Sequence, residues 1–365
     1  MTKKVKRITL FILVGVSSLA ILVNGIFFSE KEPYIVREAQ ELKTILKKAL
    51  GLPEVVEASS KVPRIAFIDQ VISHERIEQL PSYQIDQHSY DTLDYQEHII
   101  PGATREKDSF VFFRKKENQN HCEWMVKGFL AIAGNGNYEI YLPSNSPLPV
   151  DNEFVIPYPQ WQKIIKQMDK KKSFDIVNCS YSYGKGIYPH ESYEAVKRGA
   201  LVIVSAGNEY TSDKTAYKEN YTMLYKLAHE LNTQDFKGAI LIVGAYDPFH
   251  RTLISYSNRP FKDNPLSAKY FVSAPCVYLE GNKAYMNGGT SIAAAYTSGV
   301  AALLMKKFPN ATAKEIASMI KKGSRGSYSL VHYESSAKIG DRMKPTENYA
   351  LTLQQENLHR RIFSN

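Results

Sequence analysis

Six short apolar runs punctuate the chain, at 64–68, 138–142, 174–179, 201–205, 239–243 and 270–273. Each is of strand length, which predicts strands buried on both faces. Between them the apolar residues fall into helical spacing over 121–133, 158–170, 190–198, 216–231 and 290–307. A last helix is predicted over 311–322. This alternation predicts an α/β fold: a three-layer, doubly wound, mostly parallel sheet with helices on both faces. Such a sheet presents its chemistry just past the carboxyl ends of its strands.

The ends of the chain read differently. Residues 8–28 form a 21-residue run without charge, interrupted by only four polar side chains, Thr9, Ser17, Ser18 and Asn24. About 20 such residues cross a bilayer as a helix. Lys3, Lys4, Lys6 and Arg7 precede it, which holds the N-terminus in the cytoplasm and sends the rest of the chain outside. Residues 1–28 are therefore expected to be a membrane anchor or a signal peptide. Ser18-Leu19-Ala20 offers a cleavage site, although apolar residues continue beyond it. Residues 29–62 are expected to be a short helix and linker. Ile35, Ala39, Leu42, Ile45, Leu46 and Leu50 recur at helical spacing, and Gly51-Leu52-Pro53 ends the pattern. The main domain is placed at 63–322. Residues 323–365 show no sustained periodicity and are expected to form a loose tail.

Composition narrows the class. With 365 residues, 44% hydrophobic and 23% charged, the chain can bury a large core and is neither disordered nor a multi-span membrane protein. Three cysteines, Cys122, Cys179 and Cys276, are too few for a disulfide scaffold and are read as buried thiols. The net charge of +9 sits at the ends: residues 3–7 contribute four positive charges and residues 321–365 a further net four. Only one remains between them, so no basic groove and no nucleic-acid partner is expected.

Four positions could carry chemistry. Asp69 follows the first strand, where a carboxylate could orient a histidine or merely cap a turn. His121 opens a long apolar-faced helix, and the first turn of a helix holds a general base rigidly. Asn208 lies directly after the strand at 201–205, where its amide could donate to a developing oxyanion. Ser291 follows Gly288-Gly289-Thr290 at the start of a helix rich in small residues. There it is either an ordinary N-cap or a hydroxyl placed at the positive end of a helix.

The order Asp, His, Ser on a parallel α/β pattern is the subtilisin order. The strings KVPRIAFID, FDIVNCSYSYG, ALVIVSAGNE, LISYSNRP, FVSAPCV and GGTSIAAAYTSGVAALL resemble segments of the subtilisin-like serine peptidases (subtilases) over roughly residues 63–322. The resemblance implies Ser291 as nucleophile, His121 as general base and Asp69 as its orienting carboxylate. It implies an oxyanion hole from the Asn208 side chain and the Ser291 backbone N–H. It also implies a substrate-binding edge that includes Ser180, Tyr181 and Ser182, running on to Gly184, with Gly207 lining the first specificity pocket.

The chain departs from the family pattern at several points. Gln70-Val71 follow the aspartate, Cys122-Glu123 crowd the histidine, and Ala295 stands where a proline is usual. The stretch from Asp69 to His121 is long, and a helical insertion at about 211–236 follows Asn208. No calcium loop is visible, and no cofactor or metal is expected. The function expected is a monomeric serine endopeptidase acting on polypeptides outside the cytoplasm, held in the membrane through residues 8–28 or secreted. The alternative is a catalytically silent protein that binds peptides on the same fold.

Overall fold

The computed structural model describes residues 35–54, 59–69, 72–73, 85–91, 121–134, 138–145, 165–166, 168, 174–180, 189–280, 283–285 and 288–343. The strands are β1 (Ile35–Glu38), β2 (Arg64–Ile68), β3 (Ile72–Ser73), β4 (Ile85–Asp91), β5 (Tyr138–Asn145) and β6 (Ile176–Cys179). They continue with β7 (Leu201–Ser205), β8 (Ala239–Asp247), β9 (Thr252–Leu253), β10 (Phe271–Pro275), β11 (Tyr278–Glu280) and β12 (Lys283–Tyr285). The helices are α1 (Ala39–Leu50), α2 (His121–Ala133), α3 (Pro189–Lys197), α4 (Lys214–Thr233), α5 (Gly289–Lys307), α6 (Ala313–Gly323) and α7 (Tyr333–Arg342).

The main sheet runs β10-β8-β7-β6-β2-β5-β3, with β4 also on β5. Every pairing in it is parallel except that of the short β9 on β8. Successive side chains of a strand point to opposite faces, and the sequence uses both. Ile65, Phe67, Leu201 and Ile203 join one buried cluster with α1, α2, α5 and α6. Ala66, Ile68, Val202 and Val204 join a second with α3 and α4. The mixed α/β fold with a mostly parallel sheet is thus the one expected from the alternation of runs.

Helix α5 is buried all round through most of its length. Its small residues let neighbours approach closely. A Cβ on Gly299 would lie 2.7 Å from Ile132 Cβ, and one on Gly128 would lie 2.4 Å from Ile292 Cδ1. Gly128 therefore faces the start of α5, and Ile132 a point two turns further on. The two helices run in the same direction, so their first turns, with His121 and Ser291, lie at one end.

Several expectations need correction. The segment 34–50 is not one helix: its β-branched start pairs as β1 with β12, and the helix begins at Ala39. That helix docks on the sheet domain, with Leu46 and Leu50 buried in the main core. The loose tail gives way to α7, with Ser336, Ala337 and Gly340 buried. Its fully buried positions are small (a Cβ on Gly340 would meet Phe308 and Met319), and its larger apolar residues Tyr333 and Ile339 pack only partly against the core, so the apolar period is short. Strand β4, within the long stretch after Asp69, is mostly polar, IDQHSYD, and escapes an apolar-run reading. The helix expected over 158–170 is described only at 165–166 and 168, which are helical.

The apolar run at 8–28 lies outside the described residues. Among those described, no helix is long and apolar enough to cross a membrane.

Candidate active site

Asp69 comes directly after the last residue of β2 and is fully buried. The His121 Nδ1–H donates to its Oδ1 at 2.6 Å. Burial of the imidazole disfavours its charged form, but the Asp69 charge and this hydrogen bond outweigh it, and the pKa is raised above 6.5. With Nδ1 carrying the proton toward Asp69, Nε2 of the neutral ring is the acceptor. The adjacent Cys122 thiol is pushed well above its ordinary range by burial, then by the Asp69 and Glu123 charges, so it stays protonated.

Ser291 stands in the first turn of α5, whose N-cap is Gly288 without a side-chain cap. The capping reading of this serine therefore falls away. Its hydroxyl donates instead to the Ser180 carbonyl at 2.8 Å, while the Ser180 hydroxyl donates to the Ser291 carbonyl at 3.2 Å. Ser291 keeps 9% of its surface in contact with solvent, so the hydroxyl sits just beneath the surface.

Thr290 orients Asn208. Its backbone N–H and its hydroxyl both donate to Asn208 Oδ1, at 3.1 and 3.2 Å. The oxygen is thus occupied twice, which fixes the amide orientation and leaves Nδ2 as the donor end of an exposed side chain. Gly289, at φ +61°, leaves the space that the amide occupies: a Cβ there would lie 3.2 Å from Nδ2.

Gly207 is required by the same corner. Its φ is +101°, and a Cβ would meet Asn258 Nδ2 at 2.4 Å. Asn258 binds both sides of the Asn208 peptide. It donates to Ala206 O at 2.9 Å and to Glu209 Oε2 at 2.6 Å, and accepts from the Glu209 N–H at 3.1 Å. Burial raises the Glu209 carboxyl above its usual range, against the lowering effect of the Asn258 hydrogen bond.

The structure thus joins Asp69 to His121 and Ser291 to Ser180, and places Asn208 on the Thr290 next to Ser291. Tyr181 and Ser182 lie outside the described residues. Thr290 and Asn258 stand in motifs that the sequence singles out, GGTS and SYSNRP, yet the sequence alone gives neither a role. Their contacts join residues 82 and 49 positions apart, which local pattern does not reveal. Among the described residues no three His, Cys, Asp or Glu side chains converge to hold a metal ion.

A doubly wound sheet with an Asp–His pair, a helix-start serine and an oriented amide defines a hydrolase-like class of site. The profile of the subtilase family matches residues 158–347, more than half of the chain, and the chain belongs to that family. The matched region contains Asn208 and Ser291 but begins after Asp69 and His121.

Similar folds occur among solved structures. The subtilase cytotoxin SubAB assembly aligns at 15% identity and a TM-score of 0.54, over 81% of this chain and 95% of that one. The A-subunit of the AB5 toxin from E. coli aligns at 14% and 0.52, over 80% and 98%. The PatG macrocyclase in complex with peptide aligns at 14% and 0.51, over 84% and 99%. At these identities the likeness is one of fold. No curated protein matches the sequence.

Proposed function

We propose that the protein is a serine endopeptidase in which Ser291 attacks the peptide carbonyl, His121 moves the proton and Asp69 orients His121. The observation that carries this reading is the buried 2.6 Å Asp69–His121 hydrogen bond, at the helix end shared with Ser291. The Ser291 hydroxyl turns from the Ser180 carbonyl toward Nε2 of His121. Its proton passes to Nε2 as the Oγ–C bond forms. The resulting oxyanion accepts from Asn208 Nδ2 and the Ser291 N–H. His121 then gives the proton to the leaving amine as the C–N bond breaks, and water repeats the sequence to release the acid. The edge from Ser180 to Gly184 pairs with the substrate backbone, and Gly207 lines the first pocket. The domain works as a monomer outside the cytoplasm, anchored through residues 8–28 or released by cleavage there.

A second reading is a catalytically silent peptide binder. The engagement of the Ser291 hydroxyl with Ser180, rather than with a base, favours it. Cleavage of a mixed peptide library by the full-length protein in detergent separates the two. The peptidase reading expects cleavage, lost in Ser291→Ala and reduced about 10²–10³-fold in kcat in Asn208→Ala. Peptide binding without cleavage, unchanged by Ser291→Ala, would establish the silent binder.

A further inference from the structure

The proposed reaction leaves a buried polar chain beside Ser291 without a role. Asn178 lies in β6 and is fully buried. Its Oδ1 accepts from the Ser298 hydroxyl at 3.0 Å, and its Nδ2 donates to the Ser180 hydroxyl at 2.7 Å. That hydroxyl in turn reaches the Ser291 carbonyl. Ser298 stands seven residues after Ser291 on α5, two turns along the same face. The hydrogen bonds therefore leave the helix at its third turn, cross Asn178 and Ser180, and return to it at Ser291.

Packing alone does not call for this arrangement. The neighbours of Asn178 in β6 are Ile176, Val177 and Cys179, all buried, and a similar apolar side chain would fill its site without needing partners. A buried amide is tolerated only when it is hydrogen-bonded, so its partners must stay in place. Of the side chains that hold it, Ser180 also donates to the Ser291 carbonyl and Ser298 to the Ala294 carbonyl one turn back, so two peptides around the start of the helix are tied to the amide. Ser180, whose hydroxyl Asn178 holds, also carries the backbone carbonyl on which the Ser291 hydroxyl rests.

We propose that Asn178 and Ser298 are positioning residues for the Ser291 nucleophile, acting through Ser180. They fix the Ser180 peptide relative to the first turn of α5. The resting position of the Ser291 hydroxyl, and its swing from the Ser180 carbonyl to His121, are then set by a rigid frame. The proposal rests on the reading of Ser291 as nucleophile. Small displacements of a nucleophile are expensive in rate, which gives such a frame its value.

The test compares full-length wild type with Ser180→Ala and Ser298→Ala. Reactive sites are counted by titration with a fluorophosphonate, and turnover of a peptide substrate is expressed per titrated site. A positioning role lowers kcat per titrated site about tenfold in Ser180→Ala, with KM changed by less than about twofold. Ser298→Ala moves in the same direction by a smaller factor, and it serves alone if Ser180→Ala does not fold. A merely structural role lowers the melting temperature or the number of titrated sites and leaves kcat per site at the wild-type value; that result overturns the proposal. Wild type that is folded but not labelled removes the nucleophile reading, and the proposal with it.

Discussion

In the proposed reaction Asp69 and His121 set the working pH. That reaction needs the neutral imidazole, and the Asp69 charge and hydrogen bond raise the His121 pKa above 6.5. The acidic limb of kcat/KM is therefore expected to have its midpoint above about 6.5, read from a pH–rate profile. Asp69→Asn removes both raising influences and leaves burial, so the limb moves to lower pH while the rate falls roughly 10³–10⁴-fold. Stability runs the other way. A histidine whose folded pKa is raised contributes fully below its unfolded value and loses that contribution as pH climbs through the folded value. Glu209 behaves as a buried carboxyl whose pKa is also raised. Its charge costs stability at neutral pH, a cost relieved as pH falls toward its unfolded value. Glu209→Gln is expected to raise the melting temperature at pH 7 and to narrow its difference from wild type at pH 4. At this scale the placement of Ser291 at a helix start and of Asn208 just past a strand is legible in the sequence, because each lies in one string with its flanking glycines. The Thr290–Asn208 and Asn258–Glu209 contacts are not, because each joins loops brought together only by the sheet.

Helices α2 and α5, which carry His121 and Ser291 in their first turns, pack on each other through Gly128 and Gly299. A Cβ at Gly299 would lie 2.9 Å from Ile132 Cγ2 and 3.0 Å from the Phe129 carbonyl, and that backbone cannot yield as a side chain can. Gly299→Ala is thus expected to push the two helices apart, costing about 1–3 kcal/mol in denaturant unfolding. It should also lower kcat without any contact to substrate. Helix α4 is fixed by a tyrosine row: Tyr217, Tyr221 and Tyr225 meet Phe261 edge-to-face. Tyr221, fully buried, donates its hydroxyl to Ser267 O at 2.8 Å. Tyr221→Phe should cost about 1 kcal/mol, seen as a lower melting temperature. The elements that the sequence reveals are those whose apolar period is long. Strand β1 and helix α7 escape it because β1 is held by pairing with β12, and α7 is short, with small residues at its fully buried positions and Tyr333 and Ile339 only partly buried.

The described residues form one α/β body to which segments on both sides of the sheet domain contribute. Helix α1 sends Leu46 and Leu50 into the main core, and the Gly51 carbonyl accepts from the Glu334 N–H at 3.2 Å. The N-terminal and C-terminal segments therefore meet. Leu50→Ala is expected to cost about 2–5 kcal/mol in global unfolding, although Leu50 lies ahead of the first apolar run of the sheet. The fold class and the position of the serine motif are legible from the alternation of runs; the domain limits are not, since a segment's contribution to a core depends on where it docks. In the proposed reaction Ser291 is a nucleophile activated by His121. The most direct test of this role is to treat the folded full-length protein with a fluorophosphonate and locate the adduct by peptide mass spectrometry. One adduct is expected, on Ser291, slowed strongly in His121→Ala and absent in Ser291→Ala. Folded protein that carries no adduct, or one at another residue, would contradict this role.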